Sequence, residues 1–370
     1  MHTVSAIFEE KGRGAMTVNL NSVIQTEQIA KIKCLVWDLD HTLWNGVLLE
    51  DGEVSLKEGV ADIVKELDRR GILQSIASKN DYQHAMERLR TFGLDEYFLY
   101  PQIHWSAKSI SIESIVKSLN IGMDTIAFID DQPFERDEVK QALPTIRCYD
   151  AANIAELLDD ADFNPEFVTD DSKQRRFMYR SDQVRKELEE QYEGPQEEFL
   201  ASLQMKFTIA PVGPGDLQRA EELTVRTHQL NTTGYTYSYE ELDALRQSPN
   251  HKLLIAGLDD IYGSYGKIGL LLLECSEKVW TLQLLLMSCR VMSRGVGSIM
   301  LNHVIRMAKE AGVVLQAKLV PNDRNRMMSI TYHFAGFQEV ERTGEMVLFE
   351  HQMEAIPSTP DYVDVQVQSL

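Results

Sequence analysis

The stretch KCLVWDLDHTLWNG, Lys33 to Gly46, sets Asp38 and Asp40 two residues apart directly after the apolar run from Cys34 to Trp37. Four apolar residues with no polar alternation read as a strand buried on both faces, the kind found inside a parallel sheet. The two carboxylates then fall in the turn at the strand's carboxyl end, where open α/β sheets place their chemistry.

Working outward, residues 30–150 alternate short apolar runs with helical patterns: CLVW, then VADIVKELDRRG, ILQSIAS, DYQHAMERLRTFG, SIESIVKSLN, TIAFIDD and TIRCYDA. Strand and helix in alternation predict a parallel α/β sheet of Rossmann-like form. Residues 151–203 are charge-dense and helical, without a strand, and are expected to form a connector. A second alternation over residues 204–355, with strand neighbours spaced like hairpins, predicts an α+β domain, and residues 356–370 are expected to be a loose, flexible tail.

The 57 Asp and Glu outnumber 37 Lys and Arg, a formal net charge of −20 that argues against nucleic acid and anionic membrane as partners. No apolar run approaches the roughly 20 residues of a membrane helix, and the first twenty residues lack a signal-length apolar core. Cys34, Cys148, Cys275 and Cys289 form no CxxC pair, so neither a zinc site nor a disulfide framework is expected, and a reducing cytoplasm fits.

Three later signals join the Asp pair: Ser78 at the end of ILQSIAS, Lys108 in HWSAKS, and Asp130 with Asp131 at the end of TIAFIDD. Taken alone, a DxD after a strand is equally an ordinary solvated turn; the ordered set, with its strand-end signals, is what speaks for a site. In this order, DLDHT, Ser78, Lys108 and DD resemble the haloacid dehalogenase (HAD) superfamily. The resemblance implies Asp38 as nucleophile toward a phosphoryl group, Asp40 as general acid and base, and Thr42 as an orienting residue. It also implies Mg²⁺ held by Asp38, the main chain at Asp40, and Asp130, because an anionic nucleophile meeting an anionic phosphate needs a compensating cation. Only 35 residues separate Thr42 from Ser78, room for a small flap near VLLEDGEVSL and no large cap.

In the second half, the strand ending LLLMSCRV runs through MSRGVGSIMLNHVI into an amphipathic helix. This resembles the N-acetyltransferase (GNAT) fold, whose R-x-x-G-x-G loop binds pantetheine pyrophosphate. That implies Arg294, Gly295 and Gly297 as phosphate-binding residues, although Met292 stands where the motif has Arg or Gln. Cys289, a few residues before the helix, is a candidate thiol for holding an acyl group, activated by the helix dipole, by Arg290 or by His228; a small buried hydrophobe is the alternative. The polar segment RTHQLNTTGY offers Arg226, His228 and Asn231 as further donors.

Together KCLVWDLDHTLWNGVLLEDG, SKND, FIDDQPFERDEV, RTHQLN and MSCRVMSRGVGSIML are similar to the FkbH-like glyceryl transferases over roughly residues 30–345. That family implies removal of phosphate from 1,3-bisphosphoglycerate and transfer of the glyceryl group as a thioester to an acyl carrier protein, for polyketide extender units or tetronate rings. His41 and His228 stand where the family usually shows Asn. Two other readings remain: a Mg²⁺ phosphatase whose second domain only binds a carrier protein, and an acyl-CoA-dependent N-acyltransferase with an appended phosphatase.

Overall fold

The computed structural model describes residues 31–227, 229–353 and 358–368, and the portion from Lys31 onward forms one compact unit. The first sheet uses strands β1 (Cys34–Trp37), β4 (Leu73–Ser78), β5 (Gln102–Ile103), β6 (Ile126–Asp130) and β7 (Arg147–Asp150), all parallel, in the order β5-β4-β1-β6-β7. Strands β2 (Trp44–Asn45) and β3 (Ser55–Leu56) pair as a short antiparallel flap beside it.

The unbroken CLVW run is explained by burial on both faces. Leu35 and Trp37 pack with Ile76 and Ile129 on one side, while Cys34 and Val36 pack with Ala77 and Phe128 on the other. With period-2 side chains and both faces covered, no position on β1 tolerates a polar group, and the first polar residues come where the strand ends.

The second sheet contains β8 (Met205–Pro211), β9 (His251–Asp260), β10 (Gly263–Cys275), β11 (Val279–Met287), β12 (Val314–Leu319), β13 (Phe337–Thr343), β14 (Met346–His351) and β15 (Val363–Val367). Their order is β13-β14-β12-β11-β10-β9-β8-β15. The β8 to β11 neighbours are antiparallel, whereas β11 pairs parallel with β12. The helix Ile299–Ala311 covers one face through Leu301, Val304 and Ile305, and the helix Leu217–Arg226 covers the other through Ala220 and Leu223.

One expectation needs correction. The tail from residue 356 is not loose over its described part: Val363–Val367 pairs in parallel with Met205–Ile209 and extends the sheet by an edge strand. The alternating VDVQV buries Val363 and turns Asp364 outward, as an edge strand does. The connector is helical, as expected, and it makes buried contacts to both sheets. In its helix Arg175–Gln191, Arg176 reaches Asp68 at 3.0 Å, and Arg185, fully buried, makes two 2.7 Å contacts to Asp260 and lies over the Tyr265 ring. One arginine therefore ties the helix to the parallel sheet's flank and another ties it to the mixed sheet.

Candidate functional site

At the carboxyl end of β1 the chain turns at Leu39, whose carbonyl accepts hydrogen bonds from Thr42, Leu43 and Trp44 N–H, so Asp38 and Asp40 both lie in the turn that follows the strand. The residue that permits the turn is His41, at φ 53°, in the left-handed region where Asn, Asp and His are enriched. Its side chain is exposed and makes no hydrogen bond to a described residue, so its departure from the resembled pattern concerns backbone geometry.

Lys108 begins the helix Lys108–Leu119 and is almost completely buried. Its Nζ donates to Asp38 Oδ1 and to the Ala77 carbonyl at 2.8 Å, and it sits 3.2 Å from Asp130 and 3.0 Å from Glu135. Burial alone would lower its pKa, but the carboxylates of Asp38, Asp130 and Glu135 hold it above its ordinary value. Burial pushes the Asp38 carboxyl above the usual range even against the Lys108 charge, and burial with the Asp38 charge beside it pushes Asp130 up to about 7. Glu135, which also has Lys79 at 2.7 Å, is held below its ordinary value, whereas Asp38 and Asp130 resist ionisation, so positive charge is short at the two aspartates.

Asp38, Asp130 and Asp131 can each offer a carboxylate oxygen, all within 4.8 Å of one another, a hard-oxygen set that fits a divalent cation. Asp130 Oδ2, buried and without a hydrogen bond, has only the Lys108 ammonium 3.2 Å away as a partner and keeps room for such an ion. Asp131 thus joins a set that the sequence assigned to Asp38, Asp40 and Asp130; its N–H donates to Thr42 Oγ1 at 3.0 Å, which fixes Thr42 as the link between the two strand ends. The Asp40 carboxylate faces elsewhere: Oδ1 accepts from Trp44 Nε1 at 2.7 Å and from Leu48 N–H at 3.1 Å, and Oδ2 accepts from Asn80 Nδ2 at 3.0 Å. Ser78, buried at the end of β4, contributes a hydrogen bond to Asp38. Asn80 and Glu135 complete the pocket. Both lie inside the quoted SKND and FIDDQPFERDEV, but nothing in their spacing singled them out.

The second group of residues is brought together only in part: Arg226, Cys289 and Arg290 line one cavity. Cys289 opens a 3-10 turn, Cys289–Arg294, ten residues before the helix Ile299–Ala311. Its thiol donates to Gln229 Oε1 at 3.2 Å. Burial pushes it above the ordinary thiol value, against the opposing charges of Lys33 and Arg290. His228 lies outside the described residues. Asn231 is fully buried and serves its own loop, its Oδ1 accepting from Thr233 and Gly234 N–H.

The expected phosphate loop is also rearranged. Arg294 turns inward to Glu189 at 3.0 Å and is 2% exposed, so it is not presented to a ligand. Gly295, at φ 68°, leaves no space for a Cβ, which would lie 2.1 Å from the Tyr362 hydroxyl of the tail segment. Gly297 does line a cavity, a small apolar one of about 140 Å³ shared with Leu230, Leu285, Met287 and Met292.

Residues 17–142 match the sequence profile of the Haloacid dehalogenase-like hydrolase family, well under half of the chain. No curated protein matches. Among solved structures, the N-terminal, phosphatase-domain part of a Bacteroides fragilis protein complexed with Mg shares 30% identity over 36% of this chain and 40% of its own, with a TM-score of 0.30. The chain thus spans less than half of that protein. The PaiA N-acetyltransferase of Thermoplasma acidophilum in complex with coenzyme A shares 16% identity over 39% of this chain and 98% of its own (TM-score 0.29). The N-acetyltransferase PseH of Campylobacter jejuni shares 19% over 30% and 72% (TM-score 0.23). The region that matches the hydrolase profile contains all of the parallel sheet but β7, and the residues after it form the mixed sheet, a parallel α/β domain followed by an α+β domain as expected. No described helix is long and apolar enough to cross a membrane.

Proposed function

We propose that the chain is a Mg²⁺-dependent glyceryl transferase and phosphatase: it takes the glyceryl group of 1,3-bisphosphoglycerate through Cys289 to the phosphopantetheine thiol of an acyl carrier protein and removes phosphate at Asp38. The observation that carries the phosphoryl half is the buried Lys108 shared by Asp38, Asp130 and Glu135. The acyl half is supported by the order of motifs across both domains and by a thiol lining a cavity.

In this reading Cys289 Sγ attacks the acyl carbon, the bond from that carbon to the phosphate oxygen breaks, and the thiol proton leaves with the phosphate. The carrier's thiol then attacks the thioester and restores the Cys289 thiol. An acyl phosphate is already activated, so positioning supplies most of what this step needs. At the other site an Asp38 oxygen attacks phosphorus, the phosphorus–ester oxygen bond breaks, and Asp40 gives its proton to the departing alkoxide. Asp40 then takes a proton from the water that attacks phosphorus, freeing Asp38 and inorganic phosphate. Lys108 and the Ser78 hydroxyl orient Asp38 throughout. Mg²⁺ held by Asp38, Asp130 and Asp131 would offset the repulsion between carboxylate and phosphate.

The test is intact-mass analysis of a carrier protein incubated with this chain, Mg²⁺ and 1,3-bisphosphoglycerate. A glyceryl-sized gain on the pantetheine arm, lost in Cys289→Ala, is expected; no gain with material that still releases phosphate refutes the transfer. The burial-raised pKa of Cys289 favours a second reading, a phosphatase whose GNAT-like domain only binds the carrier. Under it, Cys289→Ala leaves every measured turnover unchanged.

A further inference from the structure

A cavity of about 350 Å³ lies where the amino ends of the parallel strands meet the mixed domain. Lys33 just before β1, Leu73 at the start of β4, Thr125 just before β6 and Thr145 before β7 face it from one side; Arg226 and Cys289 face it from the other. It therefore opens at the opposite edge of the sheet from Asp38, about 16 Å away along β1 at ~3.3 Å per residue.

Its charge is unusual for a chain of net −20. Asp124 is the one carboxylate on its wall among the described residues, and Arg324 pairs with it at 3.0 Å. Arg175 and Arg219 are both engaged with Glu222. That leaves three cations without a carboxylate partner. Lys33 Nζ donates only to the Arg226 carbonyl, at 2.8 Å. The Arg226 guanidinium makes no hydrogen bond or ion pair with any described residue, Glu222 acting on it only at longer range. Arg290 donates through Nη2 to the Tyr265 carbonyl at 2.8 Å, while its buried Nη1 has no hydrogen-bond partner and the Asp182 carboxylate acts on it only at longer range. Desolvated cations facing one another are costly unless an anion completes them. Burial and the neighbouring Arg226 already hold the Lys33 ammonium down to about 7, with Cys289, Asp124 and Arg175 as the other charges near it.

We propose that this cavity is a second phosphate site, in which Lys33, Arg226 and Arg290 hold the phosphomonoester of a small phosphorylated carboxylic acid with its acyl end toward Cys289. That the acyl end meets Cys289 rests on the function proposed above; that the cavity binds a phosphomonoester does not. Three unpaired cations suit a dianion better than the singly charged phosphodiester of a carrier-bound pantetheine arm.

The experiment uses the full chain carrying Asp38→Asn, with EDTA to keep the metal site from competing. Alkylation of Cys289 by iodoacetamide is followed by peptide mass spectrometry, with 3-phosphoglycerate, glycerate or 4′-phosphopantetheine added, and binding of 3-phosphoglycerate is measured by calorimetry. Saturating 3-phosphoglycerate is expected to slow alkylation about tenfold and glycerate to do nothing, while Arg226→Met weakens binding about tenfold or more. Arg226→Lys is expected to restore part of it. No protection, equal protection by glycerate, or stronger protection by phosphopantetheine overturns the proposal. If Arg226→Met does not fold, Lys33→Met takes its place, and the wild-type competition decides on its own. Failure of carrier loading with protection retained would sink only the proposed function; loading without protection would sink only this site.

Discussion

Replacing Lys108 with Met keeps most of the side chain's volume and removes a single positive charge, and the structure fixes what that does. Lys108 is 2% exposed and is the shared counterion of Asp38, Asp130 and Glu135. Removing one partner of a buried ion pair costs about 3–5 kcal/mol, because the remaining charge stays desolvated. The lost hydrogen bond to the Ala77 carbonyl adds about 1 kcal/mol. Two effects work the other way: Lys79 still holds Glu135 at 2.7 Å, and the stranded carboxyls escape part of the penalty by taking up a proton. The expected loss at neutral pH is thus about 3–5 kcal/mol, read from urea unfolding with the slope unchanged. Adding Asp130→Asn to Lys108→Met should recover part of that loss, since the residues are in contact and their effects cannot add. Phosphatase turnover should fall in both variants. Lys108→Met as stable as the native chain, or an Asp130→Asn whose cost simply adds to that of Lys108→Met, would refute the account of a shared buried cation.

Glu221 gives a pH test. Burial, with Glu166 and Glu240 nearby, pushes its pKa up to about 7 from 4.5, and its Oε2 is buried without a partner. A raised carboxyl costs nothing below the unfolded value and most above the folded one, so Glu221→Gln should raise the melting temperature at pH 8 and leave it nearly unchanged at pH 4, as scanning calorimetry would show. His41→Asn, at φ 53°, should leave stability within about 0.5 kcal/mol, whereas His41→Val should cost at least about 1 kcal/mol by the same urea titration and lower phosphatase turnover. Ending the chain after Thr359 should remove β15 and Tyr362, expose the β8 edge and lower solubility, which light scattering would detect.

The acidic site around Asp38 was legible because its parts follow one another at strand ends: CLVW announces a doubly buried strand, and the topology gathers the residues that follow each such run. Lys108 needed more than periodicity, since nothing local tells a buried lysine from a surface one; its place in the ordered set did. Arg176 and Arg185 were missed for the reverse reason. A charge-dense helix reads as solvated, and their partners Asp68 and Asp260 are 108 and 75 residues away. Arg294 fits a loop pattern by spacing, yet Glu189 takes it. Lys33 carried no signal at all, because the cavity it faces exists only once the mixed domain closes over the amino ends of the strands.

The few residues of β1 also set a problem of delivery. A strand buried on both faces admits no passage through the sheet, so under the proposed function an acyl group taken up beside Cys289 would reach Asp38 only by going around it. A free acid would make that journey in competition with escape into bulk solvent. One carried on a carrier protein's arm would remain at an effective concentration on the order of millimolar, and the yield per acyl group would be set by the tether's reach more than by either mouth's affinity.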